Sequence, residues 1–336
     1  MLKKLLLSLF SLILLLFLSC GRQVNSVILD TDIGSSTDDL FAMQMLYHYA
    51  DLKEINLLGI IVDREGTESA YIADLMNTYY GYENLPIGLI QNGIKEPKVW
   101  IDYKKLPDWK EQHEGENLLF PYSCYDESYP DGYKLYRELL ASQPDKSVVI
   151  CATGFLTCLS QLLQSQPDEY SDLNGVELVK RKVKTIYLMG GIFGNAVEEI
   201  EYNFSQSIDF VQNFFDLLPP EVDIVFSPGE AGDPIEYKPE NVISDIYWTD
   251  AHPIKQVYLN CNCNTGQKMW DVLTVIHAVK GDDWFTLSPR GRVRVMENTR
   301  SIFTPDPKGN CRYQIAGDDA WVQKIFAEIK ESYGRE

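Results

Sequence analysis

Hydrophobic residues in this chain fall into short continuous runs rather than into alternating patterns. Six runs are rich in β-branched residues and are bounded by polar or turn-forming residues: Ser26–Asp30, Ile55–Val62, Ile87–Leu89, Val148–Cys151, Val183–Met189 and Val222–Ser227. Strands that are buried on both faces of a sheet have this pattern. The runs therefore predict a sheet with both faces covered.

Helical periodicity appears between most of these runs. Apolar residues recur at three- and four-residue spacing in Asp39–Tyr49, Thr67–Tyr79, Tyr133–Ser142, Phe155–Gln164 and Asp209–Leu217, and again in Asp318–Tyr333. Repeated strand–helix units predict an α/β fold, in which a mostly parallel, doubly wound (Rossmann-like) sheet carries helices on both sides. Ligands of such sheets bind at the carboxyl ends of the strands.

Three segments interrupt this rhythm. Residues 93–132 are polar and aromatic without a clear period, residues 228–268 are similarly rich in loops, and residues 284–316 resemble a late β-hairpin region. A loop as long as 93–132 inside a compact domain is usually functional, for example as a lid, or else disordered. No linker or internal repeat divides the chain, so we expect one domain over residues 20–336.

The first 19 residues are predicted to be a signal peptide. Lys3 and Lys4 precede an apolar run from Leu5 to Leu18, and this order is typical of secretory signals. The run ends at Leu18-Ser19-Cys20-Gly21, which resembles a bacterial lipobox with Cys20 as the lipidated residue. A plain cleaved signal or an uncleaved anchor is the alternative. Each of these predicts export to the periplasm or the cell surface, and the lipobox predicts membrane attachment only through a lipid anchor.

The charge of the chain restricts its partners. A formal net charge of −19 repels phosphate backbones, which excludes polymeric nucleic acid as an expected partner. The expected substrate is a small molecule that is neutral or cationic, or that meets a bound metal ion masking the carboxylates.

The strongest chemical signal is the segment SVILDTDIGSSTDDLFAMQML. A hydrophobic strand ends at Asp30, and Asp32, Asp38 and Asp39 follow before a helix opens. Carboxylates this dense at the end of a strand are costly unless a cation neutralises them, and hard oxygen ligands suit Ca²⁺ or Mg²⁺. Asp38 and Asp39 could instead cap the helix, but one cap needs only one side chain.

This segment resembles the strand, D-x-D-x-G-x-D-D, helix signature of the inosine–uridine preferring nucleoside hydrolases, with two extra residues between Gly34 and the Asp pair. Three further elements follow in the order of the family. VVICATGFLTCLSQLL resembles its strand-to-helix turn, IYLMGGIFGN with EEIEYNF resembles its M-G-G and E-F-N motifs, and KMWDVLTVIHAV resembles its late metal-binding helix. Together these elements span Ile28 to Val279.

The resemblance implies a hydrolase that cleaves the N-glycosidic bond of a small riboside with a Ca²⁺-bound water. It assigns the metal to Asp32, Asp39, the backbone carbonyl of Thr153, and Asp271. It assigns catalysis to Asp32, Asp38, Asn203 and Asp271, with Asp32 as the proton acceptor, and substrate binding to Asp38, Glu201, Asn203 and Trp270. The role of Glu230 and a homo-oligomeric state stay open.

The sequence departs from the family pattern where the leaving base is handled. Trp270 stands where many members carry His, and no His-Gly element follows the third strand. Trp270 is expected to stack on a purine, with a buried core Trp as the alternative. His113 and Trp109, in the long loop, are expected to reach the site if that loop closes.

Two other functions stay open from the residues alone. Asp30-Thr31-Asp32 after a strand also begins the D-x-D motif of aspartate-nucleophile phosphatases, although Gly34 stands where that motif has Thr or Val. An exported lipoprotein that binds a nucleoside or sugar without turnover is the second alternative.

Overall fold

The computed structural model describes residues 24–94, 99–110, 119–121, 128–194 and 200–333. The expected signal peptide 1–19, Cys20, His113 and parts of the long loop 93–132 lie outside the described residues, so those predictions stay predictions. No helix within the described ranges is long and apolar enough to cross a membrane.

Six parallel strands form the centre of a ten-stranded sheet. They are β1 (Asn25–Thr31), β2 (Ile55–Arg64), β3 (Ile87–Ile94), β4 (Val148–Ala152), β5 (Val183–Met189) and β6 (Asp223–Ser227). Their spatial order is β3-β2-β1-β4-β5-β6, so the chain builds outwards from β1 on one side and then from β4 on the other. The strand order therefore reverses between β1 and β4, which is where open α/β sheets bind ligands.

The remaining strands are short. They are β7 (Glu236–Tyr237), β8 (Gln267–Lys268), β9 (Thr286–Leu287), β10 (Gly291–Val295), β11 (Ser301–Pro305) and β12 (Cys311–Ile315). β12 adds to β6 in parallel, β10 and β11 extend that edge as an antiparallel pair, and β9 pairs with β12. β7 and β8 form a separate small hairpin. The predicted hairpin region at 284–316 thus contributes strands to the main sheet.

Twelve α-helices are described. They are α1 (Asp38–Asp51), α2 (Thr67–Tyr80), α3 (Gly132–Ala141), α4 (Thr157–Gln164), α5 (Gly175–Lys182), α6 (Tyr202–Gln206), α7 (Ile208–Leu217), α8 (Gly229–Gly232), α9 (Pro239–Asp245), α10 (Pro253–Asn260), α11 (Trp270–Lys280) and α12 (Asp319–Ser332). Side chains of β1 alternate between two cores. Val27 and Leu29 face the core with α1, α2, α11 and α12, whereas Ile28 faces the core with α3, α4, α5 and α7.

The predicted fold class is confirmed, because one α/β domain is built on a large, mostly parallel sheet with helices on both faces. The prediction for residues 228–268 was too loop-rich, since α8, α9 and α10 lie there. α9 and α10 each begin with a proline in the first turn, where the missing N–H costs nothing. Both helices are too short to give a clear period in the sequence.

A buried arginine stabilises the helical layer that contains α3. The guanidinium of Arg137 forms a fork with Asp168, with Nε to Oδ2 at 2.5 Å and Nη2 to Oδ1 at 2.8 Å, and also donates to the carbonyls of Ser171 and Leu173. Its side chain is fully buried. These bonds tie α3 to the segment that follows α4.

Replacing this arginine tests how much the buried fork contributes. Arg137→Ala should lower the free energy of unfolding by about 3 kcal/mol, because a partly buried carboxylate and two carbonyls lose their fully buried partner. Arg290→Ala is the matched control, since its fork to Asp223 is exposed and should cost less than about 1 kcal/mol. Urea titrations measure both values, and equal losses would contradict this account.

Candidate active site

One pocket opens at the carboxyl ends of β1, β4 and β5, beside the reversal of strand order. All eight residues that the resemblance assigned to the metal, to catalysis or to the substrate line this pocket: Asp32, Asp38, Asp39, Thr153, Glu201, Asn203, Trp270 and Asp271. They come from four separate parts of the chain. The fold therefore gathers the predicted residues in one place.

The turn between β1 and α1 is held by the segment that follows β3. The backbone N–H groups of Trp100 and Ile101 both donate to the carbonyl of Ser35, at 3.1 and 2.9 Å. The hydroxyl of Tyr103 donates to the carbonyl of Ser36 at 2.6 Å and accepts from the backbone N–H of Gly34. Part of the long loop thus supports the two extra residues in this turn.

Three buried carboxylates meet on the floor of the pocket. Ligand atoms of Asp38, Asp39 and Asp271 all lie within 4.8 Å of one another. The backbone N–H of Asp271 donates to Oδ2 of Asp38 at 3.2 Å, and the hydroxyl of Thr31 donates to Oδ1 of Asp39 at 2.5 Å. Oδ2 of Asp39 is buried without a hydrogen-bond partner. This arrangement fits a hard divalent cation, because the cluster offers only oxygen donors and one buried oxygen of Asp39 has no hydrogen-bond partner.

The pKa values of these carboxyl groups agree with an uncompensated site. Burial raises the pKa of Asp38 to about 6. Burial, followed by repulsion from the neighbouring carboxylates, raises the pKa of Asp39 and of Asp271 well above the usual range. A bound cation reverses this effect by favouring the ionised forms.

Helix capping does not account for the Asp pair. The N-cap of α1 is Thr37, and no side-chain capping hydrogen bond forms there. Asp38 instead accepts from the backbone at the start of α11, 233 residues further along the chain. The alternative that both aspartates serve the helix terminus is thereby disfavoured.

Asp32 lies in the pocket but outside the group of three. Arg64, the last residue of β2, donates from Nε to the backbone carbonyl of Asp32 at 2.8 Å and from Nη2 to Oδ2 at 3.2 Å. Burial raises the pKa of Asp32, and Arg64 opposes that rise. The three carboxylates that could hold a metal are those of Asp38, Asp39 and Asp271, and the assignment of Asp32 to the metal stays a prediction.

Glu201 and Asn203 also line the pocket. Glu201 is the N-cap of α6 and accepts from the backbone N–H groups of Asn203 and Phe204, at 3.2 and 2.5 Å. Burial raises the pKa of Glu201 to about 7. Asn203 donates from Nδ2 to the carbonyl of Thr153 at 3.1 Å, which links α6 to the end of β4. Glu201 therefore sets the position of Asn203.

The mouth of the pocket is apolar and aromatic. Trp270 lines it while its indole N–H donates to Asp233 at 3.1 Å, so Trp270 is not a buried core residue. Trp100 lies with its ring centroid 5.5 Å from that of Tyr202, and Trp100 and Ile200 are 52% and 69% exposed. A pocket with an acidic floor and an aromatic mouth suits a ligand with a polar and a flat part.

The described histidines lie away from this pocket. His277 is buried between Gln314 and Asp282, and burial lowers its pKa to about 4. His252 packs against Tyr79 and Tyr80. No histidine within the described ranges lines the pocket, and Trp109 packs against the core instead.

Sequence reasoning missed three residues at the site: Arg64, Trp100 and Tyr202. Arg64 was overlooked because the apolar run of the second strand stops at Val62. Polar residues directly after that run were the available signal, since the carboxyl ends of parallel strands meet at one edge of the sheet.

The fold and the site together define an α/β protein with a cluster of buried carboxylates, able to hold a cation, at the reversal point of its sheet. A family model described as inosine–uridine preferring nucleoside hydrolase matches residues 27–315. The chain therefore belongs to this family, whose members are N-glycosyl hydrolases of nucleosides and generally depend on a metal. A search of curated proteins returns no significant match.

Solved structures share the fold at low sequence identity. A plant nucleoside hydrolase is 15% identical with a TM-score of 0.69, over 92% of this chain and 98% of the other. An inosine–uridine preferring nucleoside hydrolase from Bacillus anthracis is 16% identical with a TM-score of 0.65, over 92% and 100%. A purine-preferring ribonucleoside hydrolase from Gardnerella vaginalis is 17% identical with a TM-score of 0.64, over 91% and 98%.

The raised pKa values predict how the stability of the metal-free protein depends on pH. Asp38 and Glu201 bind protons more tightly in the folded protein, where burial raises their pKa values to about 6 and about 7, than in the unfolded chain, where their pKa values are the ordinary ones. Their stabilising effect is complete below the unfolded pKa and is lost as the pH rises through the folded pKa. Urea titrations in EDTA should therefore give a lower free energy of unfolding at pH 8 than at pH 5.

Saturating Ca²⁺ should flatten this decline, because a cation stabilises the ionised carboxylates. Asp38→Asn should reduce the decline in the free energy of unfolding between pH 5 and pH 8 without added metal. Stability in EDTA that rises from pH 5 to pH 8 would show that these carboxyl groups are not held as described.

Proposed function

We propose that this protein hydrolyses the N-glycosidic bond of a purine ribonucleoside, releasing ribose and the free base with Ca²⁺ as its metal. The observation that carries the proposal is the meeting of Asp38, Asp39 and Asp271 beside Asp32 and Asn203 in one pocket with an aromatic mouth. Attack of water at a sugar carbon needs a proton acceptor, a hold on the sugar and compensation of positive charge. These groups offer each of the three.

Calcium is the metal proposed because all the donors are oxygens and because the family resemblance implies Ca²⁺. Asp38, Asp39 and Asp271 would hold it, with the backbone carbonyl of Thr153 beside them in the pocket. Ca²⁺ accepts six to eight oxygen ligands in flexible geometry, whereas Mg²⁺ requires a near-ideal octahedron. When bound, the cation would make a water easier to deprotonate.

Other side chains of the pocket would accept the proton, bind the sugar and stabilise the developing charge. Asp32 lines the pocket and would accept the proton of the attacking water. Asn203 and Glu201, which also line the pocket, would hydrogen-bond the sugar hydroxyls. Positive charge that develops on the ring as the base leaves would be stabilised by the carboxylates of the floor.

The aromatic mouth favours a purine as the leaving base. Trp270 keeps its indole N–H on Asp233, and Trp100 and Tyr202 form a second aromatic wall. Purines have the larger stacking surface, and a nucleobase stacked on an aromatic ring gains about 1–3 kcal/mol. The Gardnerella relative is described as purine-preferring, which agrees with this choice.

Ribose release from inosine, guanosine and uridine tests the proposal. We expect release with Ca²⁺, loss of release in EDTA, and a fall in kcat of at least about a hundredfold in Asp39→Asn, because the cation and its water depend on this side chain. Asp51→Asn is the matched control on the exposed end of the same helix. Activity that survives both EDTA and Asp39→Asn would refute the mechanism.

The same samples separate the two alternative functions. Phosphate released from p-nitrophenyl phosphate and abolished by Asp30→Asn would identify a phosphatase. Calorimetric binding of inosine without any ribose formed would identify a binding protein.

The stacking role of Trp270 has its own test. Trp270→Ala should raise KM for inosine about tenfold through lost stacking, whereas Trp270→Phe should keep most of the affinity. Trp248→Ala is the control, since Trp248 lies outside this pocket, near His252. An unchanged KM in Trp270→Ala would place the base elsewhere.

A further inference from the structure

Asp233 places a carboxylate at the mouth of the pocket, and the hydrolysis proposed above does not use it. It directly follows α8 and lines the pocket together with Trp270. Asp233 is exposed, whereas the other aspartates of the pocket are buried. It also lies outside the sequence elements that carry the family resemblance. Asp233 is therefore accessible to a ligand that enters the pocket from solvent.

The position of Asp233 relative to the Trp270 ring is fixed by three contacts. The indole N–H of Trp270 donates to Oδ1 of Asp233 at 3.1 Å. Nζ of Lys268 donates to the backbone carbonyl of Asp233 at 2.6 Å. Gly232, directly before Asp233, packs so closely on the indole that an added Cβ would collide with Cδ1 of Trp270. Because an indole N–H lies in the plane of its ring, the carboxylate is held at the edge of the Trp270 ring rather than over its face.

A base stacked on Trp270 would bring one of its own edges to this carboxylate. An ionised carboxylate donates no hydrogen bond and can accept about four, of which the indole N–H uses one. The bases of inosine and guanosine carry an N–H at N1, and guanine adds a 2-amino group, whereas N1 of adenine is an acceptor. Hypoxanthine and guanine would thus hydrogen-bond Asp233 through N1, and adenine would set a lone pair against it.

The rest of the pocket does not oppose this preference. None of the described residues that line it is Lys, Arg or His, and the charged residues among them are all acidic. At the mouth, the ring of Trp100 faces Tyr202, whose hydroxyl bonds Arg64. A base edge with a hydrogen-bond donor therefore meets an acceptor in Asp233, and an edge with only acceptors meets no cationic side chain among these residues.

We propose that Asp233 is a specificity-determining residue that accepts a hydrogen bond from the N1–H of a 6-oxopurine, and a second one from the 2-amino group of guanine. The inference rests on the proposed function, which places the base on Trp270, and it narrows the substrate class to 6-oxopurine ribonucleosides. The expected order of preference is guanosine, then inosine, then adenosine.

Asp233→Asn tests the carboxylate at nearly constant shape. The amide oxygen can still accept from the indole N–H, while the amide nitrogen becomes a donor to N1 of adenine. The ratio of kcat/KM for guanosine to kcat/KM for adenosine should fall at least about tenfold, because a charged acceptor is lost for one base and a donor is gained for the other. Glu236→Gln is the matched control, since Glu236 also bonds Lys268 but does not line the pocket. An unchanged ratio in Asp233→Asn would overturn the proposal.

1-Methylguanosine tests the same contact without a change in the protein. Its methyl group removes the N1–H, so kcat/KM in the parent protein should be about tenfold lower than for guanosine. The difference between the two nucleosides should be smaller in Asp233→Asn, where the charged acceptor is absent. Equal kcat/KM values for both nucleosides in the parent protein, or the same difference in both proteins, would contradict the contact with N1–H.

Failure of the proposed function can be told apart from failure of this inference. If the parent protein releases no ribose from any nucleoside, the proposed hydrolysis fails. Calorimetric titrations of the parent protein and of Asp233→Asn with guanosine and with adenosine then decide the inference. Tighter binding of guanosine by the parent protein that is lost in Asp233→Asn supports it. Equal binding of the two nucleosides, a preference that Asp233→Asn retains, or no binding of either nucleoside overturns it.

Discussion

Repulsion between buried carboxylates is the constraint on which the site depends. Asp38 and Asp39 begin α1 and Asp271 lies in the first turn of α11, and these helices pack together on one face of the sheet. Without a partner these like charges repel one another, and each is costly to bury. The protein therefore needs a cation, bound protons or a fixed positive group at this end of the sheet.

The negative charge of the buried carboxylates is compensated in more than one way. Below the floor, Asp30 and Asp63 are both fully buried and interact, and the hydroxyl of Tyr136 donates to Asp30 at 2.7 Å. Burial raises the pKa of Asp30 to about 7, and burial together with repulsion from Asp30 raises the pKa of Asp63 well above its usual range, so bound protons are favoured here. Above it, Arg64 neutralises Asp32. Asp38, Asp39 and Asp271 are the carboxylates of the pocket that remain for a bound cation to compensate.

The sequence predicted the parts of the site that depend on local pattern. The sheet, the helices and the Asp motif follow from runs and periods within a few dozen residues, and the resemblance added Thr153, Asn203 and Asp271. Arg64, Trp100 and Tyr202 could not be placed in the same way. Their contacts arise from the register between β1 and β2 and from the docking of the segment after β3 on Ser35, and neither is visible in a single local pattern.

Tyr202 connects the two halves of the pocket. Its ring faces Trp100 at the mouth, and its hydroxyl bonds Arg64 beneath Asp32. It is also the first residue of α6, whose N-cap Glu201 holds Asn203 against the carbonyl of Thr153. Because one short helix contacts Trp100, the buried guanidinium of Arg64 and the turn after β4, a shift of α6 would move groups on both sides of the pocket together.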